Sequence, residues 1–373
     1  MPSSVNNNAV DLFIVGGGPA GLALAIAARL RGMCVVVADG ATPPIDKACG
    51  EGLMPDGLAA LGELRVDVPV GAGRPFRGIR FVGEGRSAEA LFTSGPALGI
   101  RRTALHQVLV DQAAASGVSM LWQTRVAGLH ADGVRLAGGL VPARWIVGAD
   151  GSNSRVRAWA GLDRHEKTAM RFGFRRHYRV AAWTDFMELH WGNDCQIYVT
   201  PVGCDEVCLA LVSSSPHLRL DAALEQFPEL VARLGHAKIA STERGAVTVS
   251  RRLPRVYRGN TALVGDASGG VDAITGEGLC LAFRQASLLA DCLAADNLAR
   301  YQAEHRRLLR RPAMMARLML LMGRRARLRR RAMQVFQSRP QSFSAMLSMH
   351  VGDASARDYL TNGISLGWQL LTA

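Results

Sequence analysis

Gly16, Gly18 and Gly21 stand in the spacing G-x-G-x-x-G, and Asp39 follows about 20 residues on. Those residue types at those intervals can hold a dinucleotide. The first glycine permits a tight turn, the second lets a pyrophosphate approach the backbone, and the third lets a helix pack on a strand. Ala20 lies in the same turn and joins the candidate cofactor contacts. Asp39 stands where an acid hydrogen-bonds a ribose hydroxyl. The plainer reading is a glycine turn of structural use only, and the motif by itself does not choose between NAD and FAD.

The elements that must position these residues are legible around them. "DLFIV" (11–15) is short, apolar, β-branched and ended by glycine, and reads as a buried strand. Pro19 to Leu30 is rich in Ala and Leu and reads as a helix with small residues toward a sheet. "MCVVVAD" (33–39) reads as a second buried strand, so the segment forms a βαβ unit. The helix N-terminus then turns its free N–H groups toward the phosphates.

Two distant segments extend the pattern. "ARWIVGADGSNSRVR" (143–157) is an apolar strand running into Asp150-Gly151. "RGNTALVGDASGGVDAITGEGLCLAF" (258–283) is a strand, Gly265-Asp266, a glycine-rich loop and a small-residue helix. Together the three motifs resemble the FAD-dependent monooxygenases of the para-hydroxybenzoate hydroxylase type and the related geranylgeranyl reductases, over roughly residues 10 to 290. The resemblance implies FAD as cofactor, with NADPH or NADH as a transient reductant at the surface, since no second nucleotide fold is apparent. It implies that Asp266 bonds the ribityl chain. It also places the helix beginning near Gly276 and Gly278 with its positive end toward the flavin, which favours a reduced, anionic ring. Asp150 carries two compatible readings, a contact near the pyrophosphate and a helix N-cap. In "GIRRTALHQVLVDQAAASGV" (99–118), Arg102 occupies the family's FAD-contacting position, with Arg101 as an alternative. In "IDKACGEGLMPDGLAAL" (45–61), Lys47 stands where the monooxygenases usually have an arginine, and implies a phosphate or ribityl contact.

The family's branches divide over the remaining motifs. Hydroxylases usually read G-D-A-A-H, whereas this chain has Gly269 in place of that histidine. That version, with "KACGEGL", is similar to the reductase branch and draws attention to Cys49, as an acid or a shaper of the substrate side. Its plainer reading is a small residue in a tight loop, and Glu51 shares the ambiguity. The reductases' Y-x-W-x-F-P segment is missing: "QIYVTPVGCDEVCLALV" (196–212) keeps Tyr198 and Pro201 without the Trp-Phe pair, closer to the hydroxylase form. No W-x-W-x-I-P segment occurs, so halogenation is not expected.

Residues 166–250 alternate apolar and polar in short runs, the pattern of a half-buried antiparallel sheet. One face is expected to cover the flavin and line an apolar pocket. The candidates are Phe172, Phe174, His177, Tyr178, His190, Trp191 and Tyr198, with alternation placing His177 and Tyr178 on opposite faces. Cys49, His177 and Tyr198 are the candidate catalytic residues, and His177 or His190 is a candidate base for a phenol.

The net charge of +13 is concentrated in one place. Between Tyr301 and Arg331 lie eleven arginines against Glu304 alone. Leu and Met repeat beside them at helical intervals, and Pro312 interrupts or starts a helix. A helical cap with solvated arginines is one reading. The other is a basic surface for an anionic membrane or for an acidic protein or carrier. Nucleic acid is not expected, since no recognition motif or stacking platform accompanies the charge. Seven cysteines, an odd number, fit reduced thiols, and no clustered His and Cys spacing makes a zinc site, so no metal is expected. Without a signal-like N-terminus or an apolar run near 20 residues, a cytoplasmic protein is expected, peripheral to a membrane at most.

The expected fold is therefore α/β: a Rossmann-like FAD-binding domain (1–70, 98–165 and 252–297) interleaved with an antiparallel-sheet substrate domain (71–97 and 166–251), then a basic helical region (298–373). The expected function is an FAD-dependent monooxygenase using NAD(P)H and O2 on an aromatic or polyketide-like substrate in a biosynthetic pathway. Its alternatives are a flavin-dependent reductase of isoprenoid-type double bonds and a flavoprotein modifying a residue of a partner protein.

Overall fold

The computed structural model describes residues 10–164 and 166–352, so part of the expected basic region, 353–373, lies outside the described residues. The glycine turn sits at the centre of an eight-stranded sheet. Strand Val10–Val15 pairs in parallel with Val35–Ala38 on one side and with Gly139–Gly148 on the other. Ser119–Leu121 and Thr261–Leu263 extend the parallel run outward. Helix Pro19–Arg29 is apolar all round, and Leu22 to Ala28 are completely buried, as such a helix must be. It is covered by the long helix Gly278–Ala294 and by Arg102–Ala115.

A second eight-stranded sheet holds Glu166–Arg179, Phe186–Trp191, Cys195–Gly203, Glu206–Ser213 and Arg244–Arg252, with Gly78–Gly83 and Arg86–Leu91 at one edge. Its pairing is antiparallel with one exception: Phe186–Trp191 runs parallel to Gly78–Gly83, which reaches the sheet from far earlier in the chain. A three-stranded sheet of Gly52–Leu53, Ala97–Gly99 and Arg74–Phe76 completes the β-structure.

The expectation of a half-buried second sheet is corrected at its central strands, while Arg244–Arg252 is buried at Arg251 alone. Phe186–Trp191 is buried at every position and Cys195–Gly203 at every position but the last. Alternation explains how one strand serves two cores. Ile197 and Val199 pack with Leu220, Phe227 and Leu230 of two short helices. Tyr198, Met187 and Leu189 face the other way, into a core supplied by three C-terminal helices, Arg310–Arg324, Ala326–Ser338 and Pro340–His350. Those helices contribute Met315, Met319, Met333, Phe336, Phe343 and Met346. The arginine-rich region thus roofs the sheet with its apolar side. Among the described residues no helix is long and apolar enough to cross a membrane.

Candidate cofactor and substrate site

The glycine turn has three distinct steric demands. Gly16 adopts φ +114°, and a Cβ there would stand 2.4 Å from the Ala149 carbonyl oxygen. A Cβ on Gly21 would lie 1.9 Å from the Gly16 oxygen, so only glycine lets the helix come this close to the strand. Gly18 is different: its Cβ would meet nothing within 4 Å, because it borders a cavity of about 650 Å³. Gly17, not singled out by the spacing, is also confined, since a Cβ would strike Trp122. The helix begins at Pro19 without a side-chain cap, leaving its first N–H groups for the cavity's occupant.

Around that cavity stand most of the residues expected to contact a cofactor. Gly16, Gly18, Ala20, Asp39, Lys47, Arg102, Asp150, Asp266, Gly276 and Gly278 all line it, and Gly21 packs behind. Asp39 accepts N–H bonds from Gly17 at 2.7 Å and Ala41 at 2.8 Å, which aim its carboxylate at the cavity edge. Of the two candidate arginines Arg102 lines the cavity, beside Arg125 and Arg155, and its Nε is buried without a partner among the described residues. Arg101 is held instead by Glu206, at 2.5 and 2.6 Å. Asp150 accepts from Ser154 Oγ at 2.5 Å and from the Arg155 N–H at 2.7 Å, so it caps a helix start while facing the cavity.

Lys47 Nζ lies 2.9 Å from Asp266 across the cavity mouth. Burial pushes the Asp266 carboxyl up, but the Lys47 ammonium, with Arg102 and Arg251 behind it, outweighs that and holds it below the usual carboxylate range. The turn carrying Asp266 rests on a buried polar chain that sequence reasoning missed. Gln285 accepts from the Gly265 N–H at 2.9 Å, and Ser268 Oγ lies 2.9 Å from His305 Nε2. Gly276 adopts φ +69°, ends a 3-10 turn and lets Gly278 open the 17-residue helix toward the cavity without a side-chain cap.

The substrate side departs from expectation. Of the seven sheet residues expected to line the pocket, Tyr198 alone reaches the cavity. His177 is turned toward the loop 45–52 and is buried behind it. Its Nε2 is 2.6 Å from Glu51 Oε2, and Nδ1 lies 2.8 Å from Ser241 Oγ and 3.2 Å from Arg175 Nη1. A guanidinium only donates, so Nδ1 accepts and the Nε2–H donates to Glu51. Arg175 also pairs with Asp46. With both ring nitrogens engaged, His177 is not a base facing substrate; it ties the loop to the sheet. His190 lies on the face opposite Tyr198, bonded to Glu188 at 2.9 Å.

Tyr198 donates its hydroxyl to the Ile274 carbonyl at 2.5 Å, and burial raises the phenol well above its ordinary range. It forms part of the cavity wall, with its hydroxyl proton committed to Ile274. Cys49 is half-exposed on the cavity wall, with Sγ accepting the Glu51 N–H at 3.4 Å. Beyond Tyr198, Met187 and Thr275, which border both spaces, lies an apolar pocket lined by Phe81, Met315, Met319 and Phe343.

Glu51, His177 and Cys208 converge within ligand distance of one another. Arg175 already supplies the positive charge there, 3.6 Å from Glu51. Burial, then Glu51, holds the Cys208 thiol far above its usual range.

A dinucleotide cavity at the carboxyl end of a parallel sheet, walled by a second sheet and an apolar pocket, defines a nucleotide-cofactor enzyme. The chain belongs to the FAD binding domain family, whose sequence pattern matches residues 9–310, and it is an FAD-dependent oxidoreductase. The menaquinone reductase of Mycobacterium tuberculosis is 30% identical over 324 residues, 80% of this chain and 79% of that protein. The digeranylgeranylglycerophospholipid reductase of Methanocella arvoryzae is 27% identical, covering 79% of this chain and 82% of its own length. The aurachin C monooxygenase/isomerase of Stigmatella aurantiaca is 25% identical over 79% and 84%. Among solved structures, a flavoprotein/dehydrogenase from Cytophaga hutchinsonii superposes with a TM-score of 0.78 at 19% identity, over 92% of this chain and 93% of that one.

The residues present fit FAD. The open face at Gly18 leaves room for a pyrophosphate, the unpartnered Arg102 Nε is a buried donor on the cavity wall, and two uncapped helices point at the same space. The volume falls within the roughly 300–1,000 Å³ of small-molecule sites.

Proposed function

We propose that this protein is a monooxygenase that uses NAD(P)H and O2 to hydroxylate an aromatic or polyketide-like substrate. The observation that carries the reading is the wall of the cofactor cavity opposite the glycine turn, where Met187, Tyr198 and Val249 of the second sheet give an apolar surface facing about 650 Å³ of space. Bound FAD supplies two-electron transfer from NAD(P)H and activation of dioxygen. The balance is substrate C–H, O2, NAD(P)H and a proton giving C–OH, water and NAD(P)+.

The chain's own residues bind, orient and exclude water. Asp39, Arg102, Asp150 and Asp266 hold the cofactor, with Lys47 neutralising Asp266. Met187, Tyr198 and Val249 wall the cavity and keep water from the reacting face. Tyr198 is held in that wall by its bond to Ile274.

A second reading is reduction of an isoprenoid-type double bond. It is favoured by the two relatives named as reductases and by the half-exposed Cys49 thiol, a proton donor beside the cavity. The deciding experiment gives FAD-loaded protein NADPH, isotopically labelled dioxygen and, in parallel, a long-chain alkylphenol or a polyprenyl quinone. Incorporation of one labelled oxygen into the phenol supports the monooxygenase. Loss of a double bond from the quinone without oxygen consumption replaces it with the reductase.

A further inference from the structure

We propose that the outer surface of helices Arg310–Arg324 and Ala326–Ser338 docks on an anionic lipid bilayer. The proposal concerns where the enzyme works, and it stands whether the reaction is oxygenation or reduction.

Helix Arg310–Arg324 is divided cleanly. Pro312, Met315, Ala316, Met319 and Met322 are buried. On the opposite arc, at helical spacing, Arg310, Met314, Arg317, Leu321 and Arg324 are all exposed. The next helix repeats the division, with Ala332, Met333, Val335 and Phe336 buried and Arg327, Arg330 and Arg331 outward. Both inner faces enter one core, so both outer faces turn away from the protein.

These arginines are not explained by internal pairing. Arg329 and Arg330 share Glu84. Among the described residues, Arg310, Arg317, Arg324, Arg325, Arg327 and Arg331 form no ion pair. Six free guanidinium groups on one side of the molecule match a surface of anionic headgroups, at about 1 kcal/mol for each that reaches it.

Charge alone suits an acidic protein equally well. Two further features favour lipid. Met314 and Leu321, 45% and 42% exposed, are interleaved with the arginines on the same arc, where they reach below the headgroups while the arginines stay at them. The inner face of this same helix supplies Met315 and Met319 to the apolar pocket. Docking through the outer face sets that pocket's roof on the bilayer.

The test is flotation of the full-length, FAD-loaded protein with vesicles of phosphatidylcholine, alone or mixed with phosphatidylglycerol. The protein is expected to float with the mixed vesicles only and to be released by salt. Arg317→Gln and Arg324→Gln are each expected to lower partitioning roughly fivefold with FAD content unchanged. Met314→Ser with Leu321→Ser is expected to weaken vesicle binding several-fold and leave retention on soluble polyglutamate unaltered. No flotation with either vesicle overturns the proposal. So does full flotation of the Met314→Ser, Leu321→Ser variant together with tight binding to polyglutamate, which would assign the face to an acidic protein.

Discussion

His177 Nε2 lies 2.6 Å from Glu51 Oε2, joining the second sheet to the loop that carries Lys47 and Cys49 past the cofactor cavity. Both side chains are almost wholly excluded from water. Thr200 adds a hydroxyl bond to the Gly50 carbonyl at 2.7 Å. Glu51 also accepts the Arg102 N–H at 3.0 Å and itself adopts φ +58°. The loop's shape is therefore imposed from the sheet.

His177→Ala is accordingly expected to cost roughly 1.5–3 kcal/mol, the scale for losing a buried hydrogen bond to a charged group, and to weaken FAD binding. His177→Gln, which still offers a donor to Glu51, should recover part of both. Thermal melts and FAD titration measure these, and the kcat pH profile should keep its shape. A lost limb in that profile with unchanged stability would instead make His177 a base.

Gly18→Val and Gly21→Ala should fail differently. Gly18 has ordinary extended angles and open space at its Cβ, so the variant folds but comes out colourless. Gly21→Ala forces the helix off its strand and should lose roughly 1–3 kcal/mol as well as flavin. Circular dichroism melts beside the flavin absorbance of the purified proteins separate the two.

His305 predicts acid sensitivity. Burial first, then the Arg306 charge, pushes its imidazole down to about 4 from an ordinary 6.5. A depressed histidine favours the neutral folded form, so this contribution is whole above pH 6.5 and is lost as the pH falls toward 4, by roughly 3 kcal/mol. Urea denaturation across that window should show stability rising with pH, and His305→Gln should flatten the slope. An equal slope in the variant would remove His305 as its source.

Tyr198→Phe removes the hydroxyl donated to Ile274 and should cost about 1 kcal/mol. Since burial keeps this phenol protonated, turnover should stay within about twofold and gain no alkaline limb. A hundredfold loss in kcat at unchanged KM would return Tyr198 to the chemistry.

The sequence by itself determined the cofactor half of the site. The glycine turn, Asp39, Asp150 and Asp266 each follow the buried end of a strand, and a strand ended by glycine and opening a helix states its geometry within about thirty residues. Alternation also placed His177 and Tyr178 on opposite faces correctly, as their partners Glu51 and the Phe174 core show. What lies across from each face was decided only by tertiary structure. His177 meets Glu51 from 126 residues earlier, and Gly78–Gly83 enters the sheet parallel from a distant segment. The Met-rich inner faces of the last helices bury a sheet whose own pattern reads as half-exposed. Strand periodicity reports which side chains share a face, because it is set by the local backbone. The occupant of that face depends on contacts between distant parts of the chain, which local spacing does not encode.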